Sequence, residues 1–222
     1  MDRSDRPGAV IFDLDGTLVD TVPTRIAAWT RAFDERGLAA TAAQVAPLIG
    51  ADGRMLARRV AGEAGVELDE AAAEALDARS GEIYSELNTD PRPLGGVVEA
   101  LAMLDAREIP WAIGTSSRRE QVETSVAALG LEREPTIVDG SHVEHAKPAP
   151  DLLLLAAREL DVAPEHCWYV GDSTWDMEAS VAAGMLPIAV LAGAAVERSM
   201  LEAAGARIVL GTLDELSVHL PD

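Results

Sequence analysis

The chain has 222 residues, 48% hydrophobic and 25% charged, a composition suited to one large domain or a core with an insert and unlike a disordered chain. Its formal net charge is −20, which argues against nucleic acid or an anionic membrane as partner, since both need a basic surface. An anionic ligand would have to be drawn in locally, by metal, by Arg or Lys, or by helix N-termini.

In chain order, Met1–Pro7 has no apolar leader segment. The run Val10-Ile11-Phe12 then breaks into Asp13-Leu14-Asp15-Gly16-Thr17. A short apolar run bounded by turn residues predicts a buried strand, from whose end Asp13 and Asp15 project to the same side. Two carboxylates so close favour a cation or a shared proton, and Mg²⁺ is the expected ion. Asp20-Thr21 before Pro23 predicts a helix cap, with Ile26, Trp29, Thr30 and Phe33 on one helical face up to Gly37. Further helices are predicted at residues 42–49, 53–64 and 69–87, and the stretch Asn88–Pro93 predicts a linker. From Leu94 the pattern alternates. Helices are predicted at 95–106, 118–129, 151–160, 175–183 and 196–204, with strands at 109–114, 136–138, 167–170, 187–191 and 207–210. This predicts an α/β fold: a doubly wound parallel sheet in residues 1–19 and 91–222, with residues 20–90 inserted as an all-helical cap.

Cys167, the single cysteine, excludes an intrachain disulfide and lies in an apolar run, where a core thiol is expected. The longest apolar run, near Met185–Val196, is too short to span a bilayer, so a soluble, cytoplasmic protein is expected. Lys147 is the single lysine in a chain that otherwise uses Arg, and so marks a place that calls for a compact ammonium. The histidines lack metal-ligand spacing, and the tryptophans are read as packing residues.

Four segments carry polar groups to the end of a strand or into a loop: Asp13/Asp15, Thr115-Ser116-Ser117-Arg118, Lys147-Pro148-Ala149-Pro150-Asp151, and Gly171-Asp172-Ser173-Thr174-Trp175-Asp176. One parallel sheet can gather all four at its carboxyl edge. Taken singly, each also reads as a turn, a helix cap or a solvated loop. In order and spacing they resemble the four motifs of the haloacid dehalogenase-like hydrolases, in the helical-cap subgroup that includes phosphoglycolate phosphatases and beta-phosphoglucomutases. The resemblance runs from Val10 to about Leu210 and implies a Rossmann-like core acting on phosphate esters.

Phosphoryl transfer needs a nucleophile, charge neutralisation and a proton for the leaving oxygen. Asp13 is the candidate nucleophile, forming an aspartyl-phosphate, and Asp15 the candidate general acid and base. The resemblance implies that Mg²⁺ is held by the Asp13 carboxylate, the Asp15 backbone carbonyl and the Asp172 carboxylate, with Asp176 behind a metal-bound water. It also implies phosphoryl contacts from the Thr115 hydroxyl, the Ser116 N–H and the Lys147 ammonium. A carboxylate at Asp15 separates the chain from dehalogenases, and a lysine-free cap separates it from phosphonatases. A phosphatase acting on a small phosphorylated metabolite, such as a sugar phosphate or phosphoglycolate, is expected. A sugar phosphomutase and a catalytically silent metabolite-binding protein are the alternatives. Arg25 and Arg54 in the cap, and Arg118 in the core, are the specificity candidates, each weighed against a solvated helical arginine. A monomer or homodimer is expected.

Overall fold

The computed structural model describes residues 6–220; residues 1–5, on which most of the leader reading rests, lie outside the described residues, as do 221–222. Six strands form one parallel sheet: β1 (Ala9–Phe12), β2 (Trp111–Gly114), β3 (Thr136–Val138), β4 (Cys167–Gly171), β5 (Leu186–Val190) and β6 (Ile208–Leu210), in the order β3-β2-β1-β4-β5-β6. β1 is apolar throughout because both its faces are covered. Val10 and Phe12 enter one core with Leu101, Trp111 and Val170, whereas Ala9 and Ile11 enter another with Leu153, Ala156 and Tyr169. The chain steps outward from β1 to β2 and β3, then crosses back to place β4 on the other flank of β1. That reversal opens a crevice at the carboxyl ends of the central strands.

Between β1 and β2 run α1 (Val22–Glu35), α2 (Ala42–Val45), α3 (Gly53–Glu63) and α4 (Glu70–Leu87), followed by α5 (Val97–Ala106) beside the sheet. The core is completed by α6 (Arg119–Ala128), α7 (Asp151–Glu159), α8 (Thr174–Ala183) and α9 (Arg198–Ala203). The inserted helices α1–α4 bury a hydrophobic cluster of their own, which includes Trp29, Phe33, Leu56, Leu76 and Ile83. The helix predicted at 42–49 stops at Val45 and continues as a 3₁₀ turn over Ala46–Leu48, because Pro47 brings no N–H donor to an α-helical turn. α3 and α4 begin on Asp52 and Asp69, whose side chains accept from the N–H groups of Met55 and Ala72. Thr21 is the N-cap of α1 but makes no side-chain cap bond, since its hydroxyl is turned to Asp15 instead.

Cys167 is fully buried, and burial pushes its thiol up to about 11, as suits a packing residue rather than a nucleophile. Among the described residues no helix is long and apolar enough to cross a membrane.

Candidate active site

The parallel register sets the site's geometry. Phe12 pairs with Ile113 on one side and Val170 on the other, so Asp13, the Gly114-Thr115 step and the Gly171-Asp172 step come level at one sheet edge. Lys147 reaches the same edge from the segment between β3 and α7. Its ammonium is fully buried and donates to Asp13 Oδ1 and to Asp176 Oδ1, both at 2.7 Å. The four separate sequence segments therefore meet.

The turn after Asp15 needs glycine on two grounds. Gly16 has φ +81°, and a Cβ there would lie 2.3 Å from Asp172 Oδ2. The tight turn lets Asp172 approach, and Thr17 donates to Asp172 Oδ1 at 3.0 Å. Asp13, Asp172 and Asp176 bring carboxylate oxygens within 4.8 Å of one another, all three buried. Burial, reinforced by the neighbouring carboxylates, raises the Asp13 carboxyl to about 7 against the pull of Lys147 and lifts Asp172 well above the usual range. A hard divalent cation among these oxygens answers that cost directly, so the donor set fits Mg²⁺.

Asp176, expected behind a metal-bound water, lies in the same buried carboxylate group and is held by several hydrogen bonds. Its Oδ1 accepts from Lys147 and from the Tyr169 hydroxyl at 3.0 Å, and its Oδ2 accepts from the N–H and hydroxyl of Ser173 at 3.0 and 2.5 Å. The reciprocal Ser173–Asp176 capping box at the start of α8 fixes this carboxylate, which in turn fixes Lys147. Asp176 is thus held as the partner of Lys147. Gly171 makes room for it, because a Cβ there would sit 2.4 Å from Asp176 Cγ. Gly171→Ala is expected to lower the melting temperature by several degrees, as overpacking by about 1–3 kcal/mol does, and to lower activity with it; thermal unfolding and steady-state assays check both.

Asp15 faces a different environment. Its Oδ1 accepts from Thr21 at 2.5 Å and from the Tyr84 hydroxyl at 3.1 Å, and its Oδ2 accepts from Arg25 and Ser117, both at 2.9 Å. Burial alone would raise this carboxyl, but the Arg25 guanidinium and these hydrogen bonds outweigh it and hold it below the usual range. Arg25, expected to face a substrate, thus faces Asp15 first. It stacks 3.4 Å above the Tyr84 ring and donates also to Gln121 and Ser117.

Arg54 and Arg118 do line the crevice, but each is tied to carboxylates of the chain: Arg54 to Asp52 at 2.9 Å, Arg118 to Glu74 and, at 3.5 Å, Asp77. Thr115 accepts from the Ser117 N–H, while the Ser116 hydroxyl donates to Gly50 O at 3.1 Å. Ser117 lies inside the second segment but without an assigned role, and Tyr84 and Tyr169 escape a reading by motif. Their signal is positional: Tyr84 lies one helical turn from Ser80 on the buried face of α4, and Tyr169 alternates with Trp168 and Val170 in β4.

The crevice opens into a cavity of about 600 Å³ between sheet edge and insert. Besides the side-chain bonds of Thr21, Arg25, Tyr84, Glu74 and Asp77 to the core, main-chain atoms of the insert also join the two parts: Ser116 to Gly50 O, Trp175 Nε1 to Pro47 O at 2.9 Å, and Asp52 N–H to Lys147 O at 3.2 Å.

A family model described as haloacid dehalogenase-like hydrolase matches residues 10–190. The chain belongs to that family. This hydrolase is 36% identical over 191 residues to a phosphoglycolate phosphatase of Xanthomonas campestris pv. campestris (strain 8004), covering 84% of each chain. It is 33% identical over 187 residues to a fructose-1-phosphate phosphatase of Escherichia coli (strain K12), covering 82% of this chain and 95% of that one. A crystal structure of a hydrolase from Pseudomonas syringae matches the fold with a TM-score of 0.88 at 32% identity, covering 95% of this chain and 96% of the other. The six-stranded parallel sheet with flanking helices agrees with the α/β fold expected from the sequence.

Proposed function

We propose that this hydrolase is a Mg²⁺-dependent phosphatase that cleaves a small phosphorylated metabolite through an aspartyl-phosphate on Asp13. The observation that carries this reading is the buried Asp13–Lys147–Asp176 chain at the sheet edge, which aims a carboxylate at the cavity beside a fixed ammonium. The phosphatase names of the relatives support it.

An Asp13 oxygen attacks phosphorus, the ester P–O bond breaks, and the leaving oxygen takes a proton from Asp15. Asp15 then accepts a proton from water as that water attacks phosphorus, and the bond to Asp13 breaks to release inorganic phosphate. Lys147 offsets the repulsion between the Asp13 carboxylate and the incoming phosphate, while Thr115 and the Ser116 N–H hold its oxygens. The Asp13 and Asp172 carboxylates and the Asp15 carbonyl would hold Mg²⁺. When bound, the ion supplies positive charge to the transferring phosphoryl group. Because Arg25 and its hydrogen bonds hold Asp15 ionised, proton transfer to the leaving oxygen requires Asp15 to exchange its contacts with Arg25 and Ser117 for that oxygen and to take up a proton as substrate enters. Residues 20–90 act as the lid that excludes water during this exchange.

The test is release of inorganic phosphate from a panel of phosphate esters by the purified protein. Activity is expected with Mg²⁺, to fall to background with excess EDTA, and to return on adding Mg²⁺. Undiminished turnover in EDTA contradicts the metal dependence, and an isomerised sugar phosphate without free phosphate contradicts hydrolysis.

A further inference from the structure

The phosphate end of a substrate is served by Lys147, Thr115 and Ser116, so the remaining cavity wall decides what the leaving group is. Four arginines line the cavity, and every one is matched within the chain. Arg25 pairs with Asp15 at 2.9 Å, Arg54 with Asp52 at 2.9 Å, Arg118 with Glu74, and Arg119 with Glu134 at 3.0 Å. Beyond the aspartates of the first motif, five carboxylates line the same wall, at Asp52, Glu74, Asp77, Glu120 and Glu144. A negatively charged leaving group would arrive on a surface whose cations are already answered and whose surplus is negative. Asp77 sharpens the point. It and Glu74, three residues before it on α4, both face the Arg118 guanidinium, so two carboxylates share one cation.

Neutral donors and acceptors are present, by contrast. Ser80, Gln121 and Ser141 line the cavity, and the Nε of Arg25, a residue nine-tenths buried, has no hydrogen-bond partner. An N–H whose charge is already balanced by Asp15 suits a hydroxyl oxygen rather than a carboxylate. The volume of about 600 Å³ exceeds the needs of a two-carbon acid.

We infer that the leaving group is a neutral polyol or sugar, and that the Glu74–Arg118–Asp77 cluster selects against substrates carrying a carboxylate. This deepens the phosphatase reading and rests on it for turnover. The discrimination works by repelling the wrong ligand as much as by holding the right one.

The test uses the full chain with Mg²⁺ and four probes: sorbitol 6-phosphate, glucose 6-phosphate, 2-phosphoglycolate and p-nitrophenyl phosphate. We expect kcat/KM for the better of the two polyol or sugar esters to exceed that for 2-phosphoglycolate at least tenfold. In Glu74→Gln/Asp77→Asn, which frees Arg118, the ratio should shrink several-fold toward the carboxylate, with p-nitrophenyl phosphate as the common reference. Equal or better turnover of 2-phosphoglycolate by the unmodified chain overturns the inference, as does a ratio unmoved in a folded double variant. A second arm needs no turnover. Calorimetric titration of Asp13→Asn with sorbitol 6-phosphate and 2-phosphoglycolate should give tighter binding of the former, and the reverse order, or binding of neither, overturns it. If no probe releases phosphate, the phosphatase reading fails, while the binding order still decides the selectivity.

Discussion

Asp13→Asn is expected to reduce phosphate release to background, a loss on the order of 10⁴-fold or more, because the neutral amide has no anionic oxygen to attack phosphorus and form the acyl phosphate. The substitution is nearly isosteric, and its carbonyl can still accept from Lys147, which keeps its second bond to Asp176. The fold is therefore retained. Burial, the largest influence on Asp13, raises its carboxyl from 3.8 to about 7, with Lys147 pulling the other way. A raised acid imposes no penalty below its ordinary value, and the penalty grows as pH rises through the folded one. Removing the charge is thus expected to leave the melting temperature unchanged, or raise it, at pH 8 without metal. Phosphate release and thermal unfolding on the same preparation check both statements. Substantial turnover by a folded Asp13→Asn would reject the covalent mechanism.

Lys147→Arg is expected to lower kcat at least 10²-fold although the charge is kept. The ammonium fills a fully buried space between Asp13 Oδ1 and Asp176 Oδ1, 5.6 Å from the centre of the Tyr169 ring. A planar guanidinium on a longer stem cannot place one nitrogen 2.7 Å from both oxygens without moving the walls. Overpacking of this kind costs about 1–3 kcal/mol, so a lower melting temperature should accompany the lost rate. Lys147→Met separates charge from space. It leaves two buried carboxylates without their cation, a change that typically costs about 3–5 kcal/mol. Wild-type rates in folded Lys147→Arg would show that the choice of lysine is incidental.

The sheet and the four site segments are legible in the sequence because each rests on local signals. Apolar runs end abruptly in Asp13, in Thr115 and in Asp172, and Lys147 stands alone by type. What cannot be read locally is where a polar side chain turns once helices pack. Arg25 shares the buried face of α1 with Val22, Ala28 and Trp29, a position that sequence alone assigns to an apolar residue. It is tolerated there because Asp15, ten residues away and on another element, supplies the countercharge. Thr21 reads as a helix cap by position, and tertiary contact diverts its hydroxyl to Asp15. Asp176 reads as a neighbour of the metal by helical spacing, and spacing does not show that its oxygens also engage Ser173 in a capping box and the Lys147 ammonium.

The insert docks on the sheet edge through main-chain atoms, the carbonyls of Pro47 and Gly50 and the N–H of Asp52, and also through the side chains of Thr21, Arg25, Glu74, Asp77, Tyr84 and Asn88. Docking therefore depends in part on which side chains the insert carries at the cavity. Positions 74 and 77 line the cavity and also pair with Arg118 of the core, so a change there alters the cavity wall and the seating of the lid together, whereas Arg54 pairs with Asp52 and Glu70 inside the insert. For engineering, position 54 is the one of the three at which the cavity wall can be varied without removing a bond between insert and core.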